Sequence, residues 1–147
     1  MIKKILLPTD GSDRSMDAVR YAISLAKQTG ASILVLSVVD ERVKSIETAP
    51  DPVAFMESVF MESAKTYVEV AENEIKKEGI SVSKSVRIGN PAVEIVKEAE
   101  ESVVDLIIMG SHGRTGLQSA LLGSVTMSVI HKETNIPVLI VRKGVKI

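Results

Sequence analysis

The sequence predicts a single α/β domain: a doubly wound, five-stranded parallel sheet with helices on both faces. Five short apolar runs rich in Ile, Leu and Val recur along the chain. Stretches of helical periodicity separate them, and cap residues and glycines mark the junctions. Continuous β-branched runs suit strands buried on both faces of a parallel sheet. Strict alternation with helices calls for right-handed crossovers, which cover both faces.

The elements follow in order. Ile5, Leu6 and Leu7 form the first strand, which ends at Pro8-Thr9-Asp10-Gly11. Ser12 is placed to cap a helix whose apolar side is Val19, Ala22, Ile23 and Ala26, and Gly30 stands where a helix C-terminal glycine belongs. The second strand contains Ile33, Leu34, Val35 and Leu36, then Val38 and Val39. Residues 40–50 read as one long polar loop within the domain. Asp51-Pro52 supplies a cap residue and a first-turn proline for a long second helix. Its stripe of Met56, Phe60, Ala64, Tyr67, Val68, Ala71 and Ile75 reads as core packing, with part of it available to a partner subunit. Gly79 closes that helix, and residues 80–88 alternate as a third strand. Asn90-Pro91 opens a third helix, with Ala92, Ile95, Val96 and Ala99 inward. Val103-Val104 and the run from Leu106 to Met109 form the fourth strand. A helix from about Val125, capped by Ser124, leads to a fifth strand of Val138, Leu139, Ile140 and Val141.

Composition bounds the function. The chain has 147 residues, 45% of them hydrophobic, which suffices for a core without disulfides or metal. The net charge is −1 with no basic run, and aromatics are 3%, which argues against nucleic acid and anionic membranes as main partners. There is no cysteine, which removes thiolate chemistry. Residues 1–8 read as a strand and not a signal peptide, and no apolar run approaches the ~20 residues that span a bilayer. The cytoplasm is the expected location.

The strongest chemical signal follows the fourth strand. It runs Gly110-Ser111-His112-Gly113-Arg114-Thr115-Gly116, then Gly123-Ser124 at the start of a helix. Glycines let backbone N–H groups approach a ligand closely, and successive N–H groups ahead of a helix form an anion site. Ligands of open α/β sheets bind beyond the strands' carboxyl ends, at the switch point of the topology, here between the first and fourth strands. Gly116 taken alone reads as a turn. A P-loop is absent, and the spacing of Gly110, Gly113 and Gly116 does not fit the dinucleotide fingerprint.

The order glycine, two residues, glycine, nine residues, glycine, then Ser or Thr resembles the ATP-binding type of universal stress protein. Gly110, Gly113, Gly123 and Ser124 match each position, Pro8-Thr9-Asp10 matches the family's first-strand ending, and the likeness runs over 2–142. The resemblance implies strand order 3-2-1-4-5 and ATP (or ADP or AMP) in the cleft. It puts the phosphates on residues 110–125, Asp10 on the adenosine part and the backbone around Val38 on adenine. The expected nucleotide contacts are thus Pro8, Thr9 and Asp10; Val38; Met109, Gly110, Gly113 and Arg114; and Gly123, Ser124 and Val125. Any Mg²⁺ would be held through the phosphates. The resemblance also implies a homodimer. In that strand order the apolar 138–141 strand is an unguarded edge, able to pair with its counterpart.

Other residues carry weaker signals. A carboxylate at Asp10 can accept from ribose hydroxyls or the adenine amine, or simply shape a turn. Asp13 suits a first helical turn. His112 sits in the glycine loop without being part of the motif, and His131 falls on the last helix with no metal-ligand spacing to His112. Neither a clear general base nor a Mg²⁺ carboxylate pair is evident, so a regulatory module with slow hydrolysis at most leads. An ATPase or nucleotidyl transferase using Asp10, Asp13 or His112 stands second. A nucleotide-free interaction module stands third. A phosphoacceptor receiver is excluded by Arg87-Ile88-Gly89, which offers no Asp after the third strand.

Overall fold

The computed structural model describes residues 1–42, 50–112 and 122–147. Among them the element order is β1 Lys4–Pro8, α1 Asp13–Thr29, β2 Ser32–Asp40, α2 Pro50–Lys77, β3 Val82–Gly89, α3 Pro91–Glu101, β4 Leu106–Gly110, α4 Ser124–Ile130 and β5 Val138–Val141. The strands form one parallel sheet in the order β3-β2-β1-β4-β5. Fold class and strand order are those expected.

Strand alternation builds two cores. Ile5, Leu7, Ile33, Val35 and Ile108 point to one face, where Ala18, Ala22, Val68, Ala71 and Ile75 of α1 and α2 meet them. Leu6, Leu34, Leu36, Ile107 and Met109 point to the other, against Ile95, Val96 and Ala99 of α3 and Val129 of α4. With both faces covered, the central strands have no polar side to spare, hence their continuous apolar runs.

The caps act as the sequence indicates at three places. Ser12 accepts from the Ser15 amide, Asn90 accepts from the Val93 amide with Pro91 behind it, and Gly30 ends α1 in the left-handed region at φ 75°. Asp13 lies in the first turn of α1. Four expectations shift. Helix α2 begins at Pro50, so Asp51 is inside its first turn and does not cap it. Strand β3 begins at Val82 and β4 at Leu106. Val103 has φ 51° and is 79% exposed, because the chain reverses there between α3 and β4 while Val104 turns inward. His131 is the C-cap of α4. On α2, Ala64, Val68, Ala71 and Ile75 are buried as expected, whereas Phe60 is exposed; the Met56 side chain lies outside the described residues.

A buried charge network joins α3 to the β3 edge. Glu98, 7% exposed, accepts from Ser85, Ser102 and Arg87, and Arg87 also pairs with Glu94 and Glu101. Burial pushes the Glu98 carboxyl up, but the hydrogen bonds from Ser102, Arg87 and Ser85 outweigh it and leave the group below its ordinary 4.5.

Candidate functional site

A cleft of about 150 Å³ opens at the carboxyl end of the sheet, where the order reverses between β1 and β4. One wall is apolar: Leu36 and Val38 of β2, Pro91 and Ile95 of α3, and Met109 of β4. The rest is polar or backbone: Pro8, Thr9, Asp10 and Ser15 after β1, then Gly110 and His112, with Val125 and Thr126 on α4.

Hydroxyl chemistry fixes the β1–α1 turn. The Ser15 hydroxyl donates to the Ser12 carbonyl at 2.7 Å. It has one proton, so in its 3.0 Å contact with Thr9 the Thr9 hydroxyl is the donor. Thr9 Oγ1 in turn accepts the Gly11 N–H at 3.3 Å. The backbone of Thr9 continues the sheet by donating to the Leu36 carbonyl at 2.8 Å. These links leave Asp10 at the rim, with Oδ1 accepting the Ser12 N–H at 3.0 Å.

The β4–α4 side is held by main chain. Ser111 donates its N–H to the Val141 carbonyl at 2.9 Å, and its own carbonyl accepts the Gly123 N–H at 2.7 Å. The Thr126 hydroxyl donates to the Gly110 carbonyl at 3.0 Å. The start of α4 is thereby drawn against the end of β4, although nine residues of chain between them, 113–121, lie outside the described residues. His112 Nδ1 is 3.1 Å from the Ser111 hydroxyl.

The two described glycines of the motif differ in their reasons. A Cβ on Gly110 would stand 2.9 Å from the Arg14 carbonyl oxygen, so glycine is required there by the packing of α1 on β4. Gly123 has φ −67° and ψ 157°, a conformation open to any residue, so its backbone angles do not demand glycine.

The structure brings Pro8, Thr9, Asp10, Val38, Met109, Gly110 and Val125 onto one cleft. Gly123 and Ser124 stand at the start of α4 beside it. Ser124 is the first residue of the helix and not its cap; Gly123 occupies the cap position, with no side-chain hydrogen bond. Gly113 and Arg114 lie outside the described residues, as do Thr115 and Gly116. Sequence reasoning missed Ser15, Leu36, Pro91, Ile95 and Thr126. Each had been assigned to an element, and none carries a chemical motif. One signal was available: Pro91 and Ile95, four apart on α3, share a face that begins at the ligand end of the sheet.

Nearby, Asp40 ends β2. The Arg42 guanidinium and amide bond to its carboxyl and hold it below the usual range, so this acid is already engaged.

The universal stress protein family model matches residues 1–142. The chain belongs to that family. Universal stress protein MJ0577 of Methanocaldococcus jannaschii is 36% identical over 97% of this chain and 96% of its own length. Its solved structure superimposes with a TM-score of 0.88, at 39% identity over 97% of both chains. Two other universal stress protein structures share the fold at 24% identity. One was solved in complex with cAMP, with a TM-score of 0.67 over 96% of this chain and 97% of that one. The other, from Archaeoglobus fulgidus, was solved in complex with dAMP, with a TM-score of 0.66 over 95% and 97%. As a universal stress protein, the chain carries this family's five-stranded parallel sheet.

Proposed function

We propose that this universal stress protein is an ATP-binding regulatory module of the stress response, acting in the cytoplasm. The observation that carries the reading is the division of the cleft. An apolar slot of Leu36, Val38, Ile95 and Met109 suits a flat base. Beyond it, Asp10 suits the ribose hydroxyls. At the far side, the first-turn amides of α4 suit phosphates, with Gly123, whose own N–H is bonded to the Ser111 carbonyl, leaving room for their approach. Relatives sharing the fold were solved with cAMP and dAMP, which is the ligand class invoked. ADP and AMP would use the same base and ribose contacts.

Among the described residues no group of three or more His, Asp or Glu is placed to hold a metal ion. Mg²⁺, where present, would be carried by the phosphates. Turnover is slow on this reading, because efficient phosphoryl transfer needs positioned acids, metals and cations together. His112 on the cleft wall favours a second reading, a slow ATPase or nucleotidyl transferase.

Assembly is part of the proposal. The Ile107 amide bonds to the Pro137 carbonyl and the Ser111 amide to the Val141 carbonyl. Odd-numbered residues of β5 thus face β4, and Val138 and Ile140 present their N–H groups to the open edge. Pairing of two β5 strands would give a two-fold homodimer.

The test is mass spectrometry of small molecules released by denaturing freshly purified protein, with calorimetric titration of the stripped protein. Release of ATP, ADP or AMP, or rebinding of one of them, is expected. Absence of both would overturn the reading in favour of a nucleotide-free interaction module.

A further inference from the structure

Among the described residues helix α2 contributes no lining residue to the cleft, yet one of its side chains lies against the turn that carries Asp10. Gly11 follows Asp10 directly and has φ 77°, a left-handed conformation that suits glycine. The ring of Tyr67 fills the place where a Cβ on Gly11 would stand, through its Cγ, Cδ1 and Cε1 edge. Tyr67 lies on the apolar stripe of α2 and is itself half-buried. Ala64 and Ala71 on either side are 3% and 0% exposed, and their small side chains bring the helix close. The helix thus sets the ring against Gly11.

From these contacts we infer that Tyr67 is a positioning residue for Asp10. The turn is clamped from two sides. Underneath, the chain of hydroxyls from Thr9 through Ser15 to Ser12 ties its two ends together. In front, the aromatic face stops Gly11 from swinging outward and carrying the Asp10 carboxylate off the Ser12 amide. A glycine at this point has wide conformational freedom, so without the ring the turn samples other states and the carboxylate loses its orientation. The atoms that meet Gly11 belong to the ring, so Tyr67→Phe keeps this contact. The inference rests on the nucleotide reading only for its effect on binding; its effect on the turn is independent of any ligand.

The experiment compares wild type, Tyr67→Phe, Tyr67→Ala, Asp10→Ala and the Tyr67→Ala/Asp10→Ala double variant. Amide exchange by NMR follows the Ser12 N–H against the Ala22 and Ala26 amides of the same helix. Calorimetry gives ATP affinity. In Tyr67→Ala we expect Ser12 exchange to accelerate about tenfold relative to Ala22 and Ala26, and ATP affinity to fall about tenfold, the size of one charge-assisted hydrogen bond. Tyr67→Phe, which keeps the ring against Gly11, should retain Ser12 protection. In the Asp10→Ala background, loss of the ring should change affinity less than about twofold, because its effect passes through the missing carboxylate. Unchanged Ser12 protection in Tyr67→Ala overturns the inference. So does an affinity loss of equal size in both backgrounds. If Tyr67→Ala does not fold, Tyr67→Leu fills the core without a flat ring and is read in the same way. If wild type binds no nucleotide, the functional reading fails, and Ser12 exchange alone decides the role of Tyr67.

Discussion

At Asp10 a single carboxylate both orders a turn, through the Ser12 amide, and faces the cleft. If it holds the adenosine part, Asp10→Ala should weaken ATP and ADP alike, by roughly 1.5–3 kcal/mol. Titration of both nucleotides checks this; a loss confined to ATP would put Asp10 at the γ-phosphate instead. The motif glycines separate in the same way. Gly110→Ala pushes a methyl into the Arg14 carbonyl and should destabilise the fold by about 1–3 kcal/mol, visible in a chemical denaturation curve. The cleft residues that could be read from the sequence were those with chemistry in their side chain or a place in a motif, such as Asp10 and Gly110. Ile95 and Leu36 were legible as core and illegible as cleft lining, because the two positions ask for the same apolar side chain. The packing reason for Gly110 could not be read either, since Arg14 lies ninety-six positions away in the chain and only the fold makes them neighbours.

Among the elements, the boundaries set by local chemistry were the legible ones. Ser12, Asn90 and Gly30 cap or close helices through bonds within a few residues. Val103 was not legible, because its apolar side chain suits a strand while the chain reversal before β4 decides otherwise. The α3–β3 network likewise depends on packing. Glu98 is held below its ordinary 4.5, so it stabilises the fold above that pH, and the contribution is lost as pH falls through its lower folded value. Wild-type melting temperature should therefore drop below about pH 4.5. Glu98→Gln should be less stable at pH 7 and should show a shallower decline between pH 6 and 3. An equal slope in the variant would mean that Glu98 has no part in the acid response.

For the whole molecule, the strand order that creates the cleft at β1 and β4 also leaves β5 at the edge. Ile140→Pro removes an outward N–H while sparing the bonds to β4 and should shift dimer towards monomer in light scattering. A wild type that stays monomeric at high micromolar concentration would contradict the interface. On the proposed function, nucleotide phosphates lie against Gly123 and the start of α4. Calorimetric titration of ATP into wild type and Gly123→Val, with thermal melts of both, tests it most directly. The cap position has no side-chain bond to lose and its φ of −67° accepts valine, so the fold should survive. We predict ATP binding by wild type, at least a tenfold loss in the variant, about 1.4 kcal/mol, and closely similar melts. Equal ATP affinity in the two proteins would contradict the claim.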